Sequence, residues 1–79
     1  MSVTDNPVSI SLGGNESITV PTEETWKVFI TGSSGVLING DEVVNSSTEP
    51  RQVETVVTSG DIIATDGSTD YIHIGGFSL

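Results

Sequence analysis

The chain contains no cysteine, one histidine and only two basic residues among its 79 positions. Without cysteine it can form neither disulfides nor thiolate metal ligands. One histidine, His73, cannot build the usual zinc ligand sets alone. The two bases, Lys27 and Arg51, do not make the basic footprint that nucleic-acid binding requires. These absences argue against zinc enzymes and nucleic-acid-binding proteins.

Long apolar runs are also missing, and none would span a bilayer. The first residues, 1–5, show no basic region followed by an apolar one, so we expect no signal peptide and a complete product made in the cytoplasm. A chain of 79 residues makes one domain. It buries only about 60% of its unfolded surface, so we expect it to gain stability by forming an oligomer.

The charge balance is strongly acidic, with eleven acidic residues and a net charge of −9. The acids are scattered along the chain rather than clustered in one run, which indicates an evenly acidic surface. Salt screens the repulsion within such a surface. We interpret the composition as that of a protein from a salt-loving organism, and an ordinary acidic domain is the alternative.

The most informative stretch is residues 25–31, in which apolar and polar side chains alternate. Trp26, Val28 and Ile30 share one face, whereas Lys27 and Phe29 share the other. This period of two predicts a central β-strand. Trp26 is interpreted as the anchor of the core, with stacking on a ligand such as a sugar as the alternative.

The rest of the chain contains further short apolar stretches separated by turns, and no helical period. Strands are predicted over residues 8–12, 17–20, 25–31, 36–38, 42–44, 52–57, 61–65 and 71–79, with Gly75 and Gly76 interrupting the last. Seven or eight short strands indicate an all-β sandwich or barrel. The predicted domain spans residues 7–79, and residues 1–6 are predicted to form a flexible N-terminal arm that orders on a neighbouring subunit.

Asn39-Gly40 lies between two apolar stretches and predicts a hairpin, because both residues accept positive φ. The sequence leaves two possible registers for the pairing of its strands. A turn on these two residues pairs Val36 with Val43, whereas a turn shifted by one residue pairs Ile38 with Val43. The two registers place opposite faces of the strand toward the core.

Three oxygen-bearing side chains alternate at Asp66, Ser68 and Asp70, as at the start of a calcium loop. The glycine at position six and the glutamate at position twelve of an EF-hand are missing, so a hairpin turn is favoured. These residues remain weak calcium candidates, more suited to a site between subunits. Otherwise we expect no metal and no cofactor.

No catalytic constellation is recognisable. Two neighbouring pairs of carboxylates, Glu23-Glu24 and Asp41-Glu42, lie at strand ends and are interpreted as solvated surface, because sequence neighbours on a strand point to opposite faces. His73 is interpreted as a strand residue that packs against a neighbour or lines a subunit contact. We therefore expect that the protein is not an enzyme.

Four motifs in order carry a resemblance to a known group of proteins. A proline turn leads into Trp-Lys-Val over residues 21–28, and Asn-Gly follows at 39–40. Ser-Gly-Asp-x-Ile spans residues 59–63, and Tyr-Ile-x-Ile-x-Gly-Phe spans residues 71–77. This order resembles small structural proteins of tailed virions, which carry a jelly-roll-like β domain. The acidic composition indicates a virus of haloarchaea.

The resemblance implies a capsid decoration, turret or fibre subunit located on the virion and made in the host cytoplasm. It also implies self-assembly, commonly as a trimer, and binding to a major capsid or tail shell protein. No binding to nucleic acid or membrane is expected. We expect the oligomer or shell contact at Phe29, Tyr71, His73 and Phe77.

Two other functions compete with this one. A receptor- or glycan-binding β-sandwich, with calcium at residues 66–70, predicts an exposed aromatic side chain beside that turn. A cupin-like enzyme would need a cluster of histidines on inward-facing strands, and the chain has one histidine.

Overall fold

A computed structural model describes residues 7–33, 35–44, 51–66 and 71–79. The predicted arm, residues 1–6, lies outside these ranges. Eight strands run in chain order as β1 Pro7–Leu12, β2 Ser17–Thr19, β3 Thr25–Gly32, β4 Val36–Ile38, β5 Asp41–Val44, β6 Arg51–Thr58, β7 Ile62–Thr65 and β8 Ile72–Ser78. Nowhere in the described ranges is there a helix long and apolar enough to cross a membrane.

The strands form two antiparallel sheets of four strands each. We call them sheet A, with the order β1-β8-β3-β6, and sheet B, with the order β2-β7-β4-β5. The pairs β1–β8, β2–β7, β3–β6 and β4–β5 are nested inside one another, like a long hairpin rolled over itself. This is the strand order of a jelly roll. The predicted all-β sandwich is confirmed.

The core lies between the two sheets. Along the strands, every second residue points its side chain into it. On β3 the buried residues are Trp26, Val28 and Ile30, and Trp26 is only 5% exposed. The predicted role of Trp26 as a core anchor is confirmed, and stacking of its ring on a sugar is excluded. The remaining buried apolar side chains are Val8, Leu12, Val20, Val36, Val57, Ile63, Ile72 and Ile74.

β8 passes through Gly75 and Gly76 without a break, so the expected interruption is wrong. Gly76 pairs with Val28 on β3 and with Val8 on β1. Its φ is 154°, and a Cβ there would overlap the carbonyl oxygen of Lys27. Glycine allows the backbones of neighbouring strands to approach closely at this position.

The β4–β5 hairpin turns on Asn39-Gly40, whose φ angles are 53° and 86°. Positive φ at both residues is what a type I′ turn requires, so the predicted turn is confirmed. The register then shifts by one residue, and Val36 pairs with Val44. Neither expected pairing of Val43 forms, because a β-bulge places an extra residue on β5.

Candidate functional site

The side chains of sheet A that point away from the core form one continuous surface. They alternate with the buried residues along each strand, as the period of two requires. We call this surface the outer face of sheet A. Its members are Ser9, Ser11, Lys27, Phe29, Thr31, Gln52, Glu54, Val56, His73 and Phe77.

Both phenylalanines of the chain lie on this outer face, and each is half-buried. Phe29 lies opposite Gly75, and Phe77 lies opposite Lys27, so the two rings are on diagonal positions of neighbouring strands. Diagonal positions lie within reach of aromatic side chains. The glycine opposite Phe29 has no side chain, and the ring of His73 borders the position that a Cβ would take there. The face therefore has an aromatic centre.

The charges on the outer face of sheet A cancel. Lys27 Nζ lies 2.8 Å from Glu54 Oε2 and 6.0 Å from the centroid of the Phe29 ring. Both ionic side chains are partly exposed, at 31% and 56%, so the pair contributes at most about 1 kcal/mol to stability. Its effect is local, because it makes this face neutral in a chain with a net charge of −9.

His73 lies on the same face, where its Nε2 is 3.1 Å from Ser9 Oγ on β1. The ring is exposed and borders the position of Gly75. It points away from the core, whereas the metal centre of a cupin-like enzyme would need inward-facing histidines. The structure thus brings together His73, Phe29 and Phe77 from the predicted contact residues.

Tyr71, the fourth predicted contact residue, comes directly before β8 and is 68% exposed. Its backbone carbonyl packs closely against Gly32 at the end of β3. Tyr71 therefore lies at the end of sheet A rather than among the aromatic residues at the centre of the outer face.

Of the calcium candidates, Asp66 follows β7 and is half-buried, and its N–H donates a 3.2 Å hydrogen bond to the Gly35 carbonyl. Ser68 and Asp70 lie outside the described residues. Within the described residues, there is no group of three or more His, Cys, Asp or Glu side chains that could hold a metal ion.

One of the paired carboxylates differs from the expectation of a solvated surface. Glu24 is half-buried, and its Oε1 accepts a 2.8 Å hydrogen bond from Trp26 Nε1. A buried indole N–H needs an acceptor, and Glu24 supplies it at the edge of the core. The other members, Glu23, Asp41 and Glu42, are exposed as predicted.

A polar cluster that sequence reasoning missed joins two turns. Asp61 accepts hydrogen bonds from the backbone N–H of Thr58, at 2.9 Å, and from Asn39 Nδ2, at 3.0 Å. Asn39 Oδ1 in turn accepts a 2.9 Å bond from the N–H of Ile62. The bonds from Thr58 and Asn39 lower the pKa of Asp61 below its usual value of 3.8. An aspartate after a glycine turn signals the local bond, but nothing in the sequence signals Asn39 as its partner.

Comparisons with known protein families, with curated proteins and with solved structures find no match to this chain.

Proposed function

We propose that this protein is a structural subunit of a virion, a capsid decoration or turret that self-assembles and binds the viral shell without catalysis. The observation that carries the proposal is the position of Phe29 and Phe77. Both lie on the outer face of sheet A rather than in the core.

Apolar side chains are scarce in this chain, since hydrophobic residues make up 34% of it. A domain of this size would gain stability by burying its phenylalanines in the core, because a fully buried side chain of this kind contributes about 1.5–3 kcal/mol. Phe29 and Phe77 instead lie half-buried on the outer face of sheet A, together with the exposed Val56. Apolar side chains grouped on one surface are typical of a protein–protein contact.

The electrostatics of the outer face support the same contact. A protein with a net charge of −9 repels other acidic surfaces. On the outer face the charges of Lys27 and Glu54 are paired at 2.8 Å, so another subunit or a shell protein can approach it without facing an unpaired carboxylate. We therefore place the shell contact at this face.

The jelly-roll strand order occurs in viral capsid proteins, lectins and cupins. The fold therefore does not distinguish these functions, and the chemistry of the surface has to do so. A neutral aromatic face suits assembly by contact. The motif order at residues 21–28, 39–40, 59–63 and 71–77, which resembles virion proteins of tailed viruses, supports a decoration role. We further propose a haloarchaeal virus, because of the acidity, and a trimer, because of the resemblance.

The test is co-sedimentation of the purified protein with viral heads in high salt, together with its mass by light scattering. We expect an oligomer that binds heads, and weaker binding by Phe29→Ser and Phe77→Ser. The control is Ile62→Ser, since Ile62 is 43% exposed on β7 of the other sheet. A stable monomer without affinity for heads would contradict the proposal.

A second function, binding of a receptor glycan, is favoured by one observation. Tyr71 is 68% exposed and directly follows residues 67–70, as the glycan-binding hypothesis requires. Aromatic rings exposed in this way can stack on sugars. Glycan-array binding that is lost in Tyr71→Ala but kept in Phe29→Ser would support this function. A melting temperature indifferent to calcium and chelator would remove its metal-dependent form.

A further inference from the structure

The two sheets together have four edge strands, and three of them are protected against pairing with another chain. β2 has only three residues. β5 carries a register shift and the exposed acids Asp41 and Glu42. β1 begins with Pro7, which cannot donate a backbone hydrogen bond. Short strands, bulges, charges and prolines are the usual means by which proteins prevent edge-to-edge association.

β6 is the exception. It has eight residues and pairs with β3 along its whole length, and no strand among the described residues covers its other edge. Its residues 52–58 contain no proline and no lysine, and they show no shift in register against β3. Val56 is 53% exposed. This edge presents an extended row of backbone donors and acceptors, and the one charged side chain of residues 52–58, Glu54, is paired with Lys27.

The core is also open at this edge. Val53 and Thr55 face the interior of the sandwich on β6, yet both are only half-buried, whereas Val57 on the same strand is fully buried. A further strand added beside β6 would cover the parts of these two side chains that are still accessible. The edge thus offers both backbone pairing and apolar burial to an incoming strand.

We propose that the incoming strand is β6 of a second copy of this chain, paired antiparallel about a two-fold axis at Thr55. This pairing deepens the self-assembly in the proposed function and rests on it. It places Val53 opposite Val57 and Glu54 opposite Val56, each twice. Two copies of sheet A then form one continuous sheet of eight strands, which presents two outer faces side by side.

A second copy suits this edge for two reasons. On the inward side, the Val53–Val57 pairs extend both cores with β-branched residues, which favour such cross-strand contacts. On the outward side, Glu54 meets Val56 rather than another carboxylate, and its own charge is paired with Lys27 at 2.8 Å. An axis at Glu54 would bring two carboxylates together, which disfavours that register.

The two-fold pairing closes on itself. It uses β6 of both copies, and the remaining edges are the protected ones, so the assembly does not grow into a fibre. It requires an even number of copies, so the proposed trimer can form with it only as half of a hexamer. β6 pairing alone gives a dimer, and β6 pairing combined with a three-fold contact elsewhere gives a hexamer.

Two variants of Val56, one with a positive and one with a negative side chain, test the pairing. Val56→Lys places a lysine opposite the partner's glutamate and strengthens dimerisation, whereas Val56→Glu places a second acid there and weakens it, each by about tenfold over two contacts. Within one copy the effects are reversed, because Val56 pairs with Lys27 and a glutamate there gains a partner. Sedimentation at the lowest salt concentration at which the protein stays folded measures the first effect, because high salt would screen it, and thermal melting measures the second.

Ile62→Lys and Ile62→Glu are the controls, since they change the net charge equally at an exposed site on β7. We expect them to alter dimerisation by less than the matching changes at Val56. If the changes at Ile62 and at Val56 alter dimerisation equally, net charge alone explains the effect, and this result overturns the proposal.

A single cysteine tests the register, because the chain has no other. Opposed residues of antiparallel strands have Cα atoms about 4.5–5.5 Å apart, within disulfide range. Thr55→Cys should oxidise to a covalent dimer, and Ser11→Cys on β1 should not. No disulfide from Thr55→Cys, or equal amounts from both, overturns the proposal. A β6-linked dimer that binds no viral heads overturns the proposed function alone, and a monomer that binds heads overturns this pairing alone.

Discussion

Asn39 donates a 3.0 Å side-chain hydrogen bond to Asp61, 22 positions further along the chain. The bond fastens the β4–β5 turn to the β6–β7 turn. The second turn belongs to a connection between the two sheets, since β6 lies in sheet A and β7 in sheet B. This pair of residues therefore ties together one end of the sandwich.

Stability should fall in acid through Asp61. Its pKa is lowered in the folded protein by hydrogen bonds from Thr58 and Asn39, so folding favours the ionised form. The resulting stabilisation is complete above the ordinary value of 3.8 and is lost as the pH falls through the lower folded pKa. We expect Asp61→Asn to reduce the fall in melting temperature between pH 5 and about pH 2 in high salt.

The control for this experiment is Asp41→Asn, which removes an equal charge from an exposed position on β5. It should leave most of the acid-side loss in place. If both variants flatten the curve to the same degree, general acidity rather than the Asn39–Asp61 bond governs the transition.

Glu23 is expected to carry backbone strain. Its φ is 69°, in a turn closed by a 3.2 Å bond from the Glu24 N–H to the Pro21 carbonyl. A residue with a Cβ is disfavoured there by roughly 1 kcal/mol. Glu23→Gly relieves this cost, and the added freedom of the unfolded chain takes back about 0.4–1 kcal/mol, so stability in urea unfolding should rise by at most about 0.6 kcal/mol. Glu23→Gln removes the charge and keeps the strain, so a matching gain in that variant would contradict this explanation.

The two faces of β3 should respond differently to mutation. Trp26→Ala removes a core side chain and leaves Glu24 without its indole donor, a loss of about 3–5 kcal/mol that a domain of this size cannot tolerate. Phe29→Ser removes a half-buried ring from the outer face and should cost about 1–2 kcal/mol. Circular dichroism should show an unfolded first variant and a folded second one, and light scattering should show that the second assembles more weakly. Equal unfolding of both would refute this division of the strand.

Salt should stabilise the protein. The chain has eleven acids and only two bases, so its carboxylates repel one another. This repulsion extends over a screening length of about 10 Å at 0.1 M salt and about 3 Å at 1 M. The melting temperature should therefore rise with sodium chloride concentration, and dialysis to low salt should favour unfolding. Sucrose at matched water activity is the control for general solvent effects, and a melting curve indifferent to salt would contradict the halophilic interpretation.

The strands and the buried face of β3 could be predicted from the sequence because a period of two is a local property. Trp26, Val28 and Ile30 are buried as the alternation indicates, and Asn39-Gly40 forms the expected turn. The β-bulge on β5 was not predictable, since no glycine or other local signal in residues 41–44 marks it.

Contacts between distant residues explain what the sequence could not show about the candidate site. Phe29 lies opposite Gly75 because β3 pairs with β8, a relationship of strands far apart in the chain. The bond between Glu24 and Trp26 is local, yet the pair Glu23-Glu24 looked like surface, since nothing in the sequence distinguishes which carboxylate turns toward the indole.

The nested strand order also has a consequence for the folding rate. Of the pairings between described strands, only β4–β5 joins neighbours in the chain, whereas β1 must find β8 at the opposite end. Each outer pair of strands encloses the inner pairs in the sequence. We therefore expect the hairpin at Asn39-Gly40 to form first and the pairs β3–β6, β2–β7 and β1–β8 to form after it. Contacts so distant in sequence slow folding to milliseconds or seconds. Mutations in that hairpin should retard refolding, whereas those in β1 should mainly accelerate unfolding, as stopped-flow kinetics can measure.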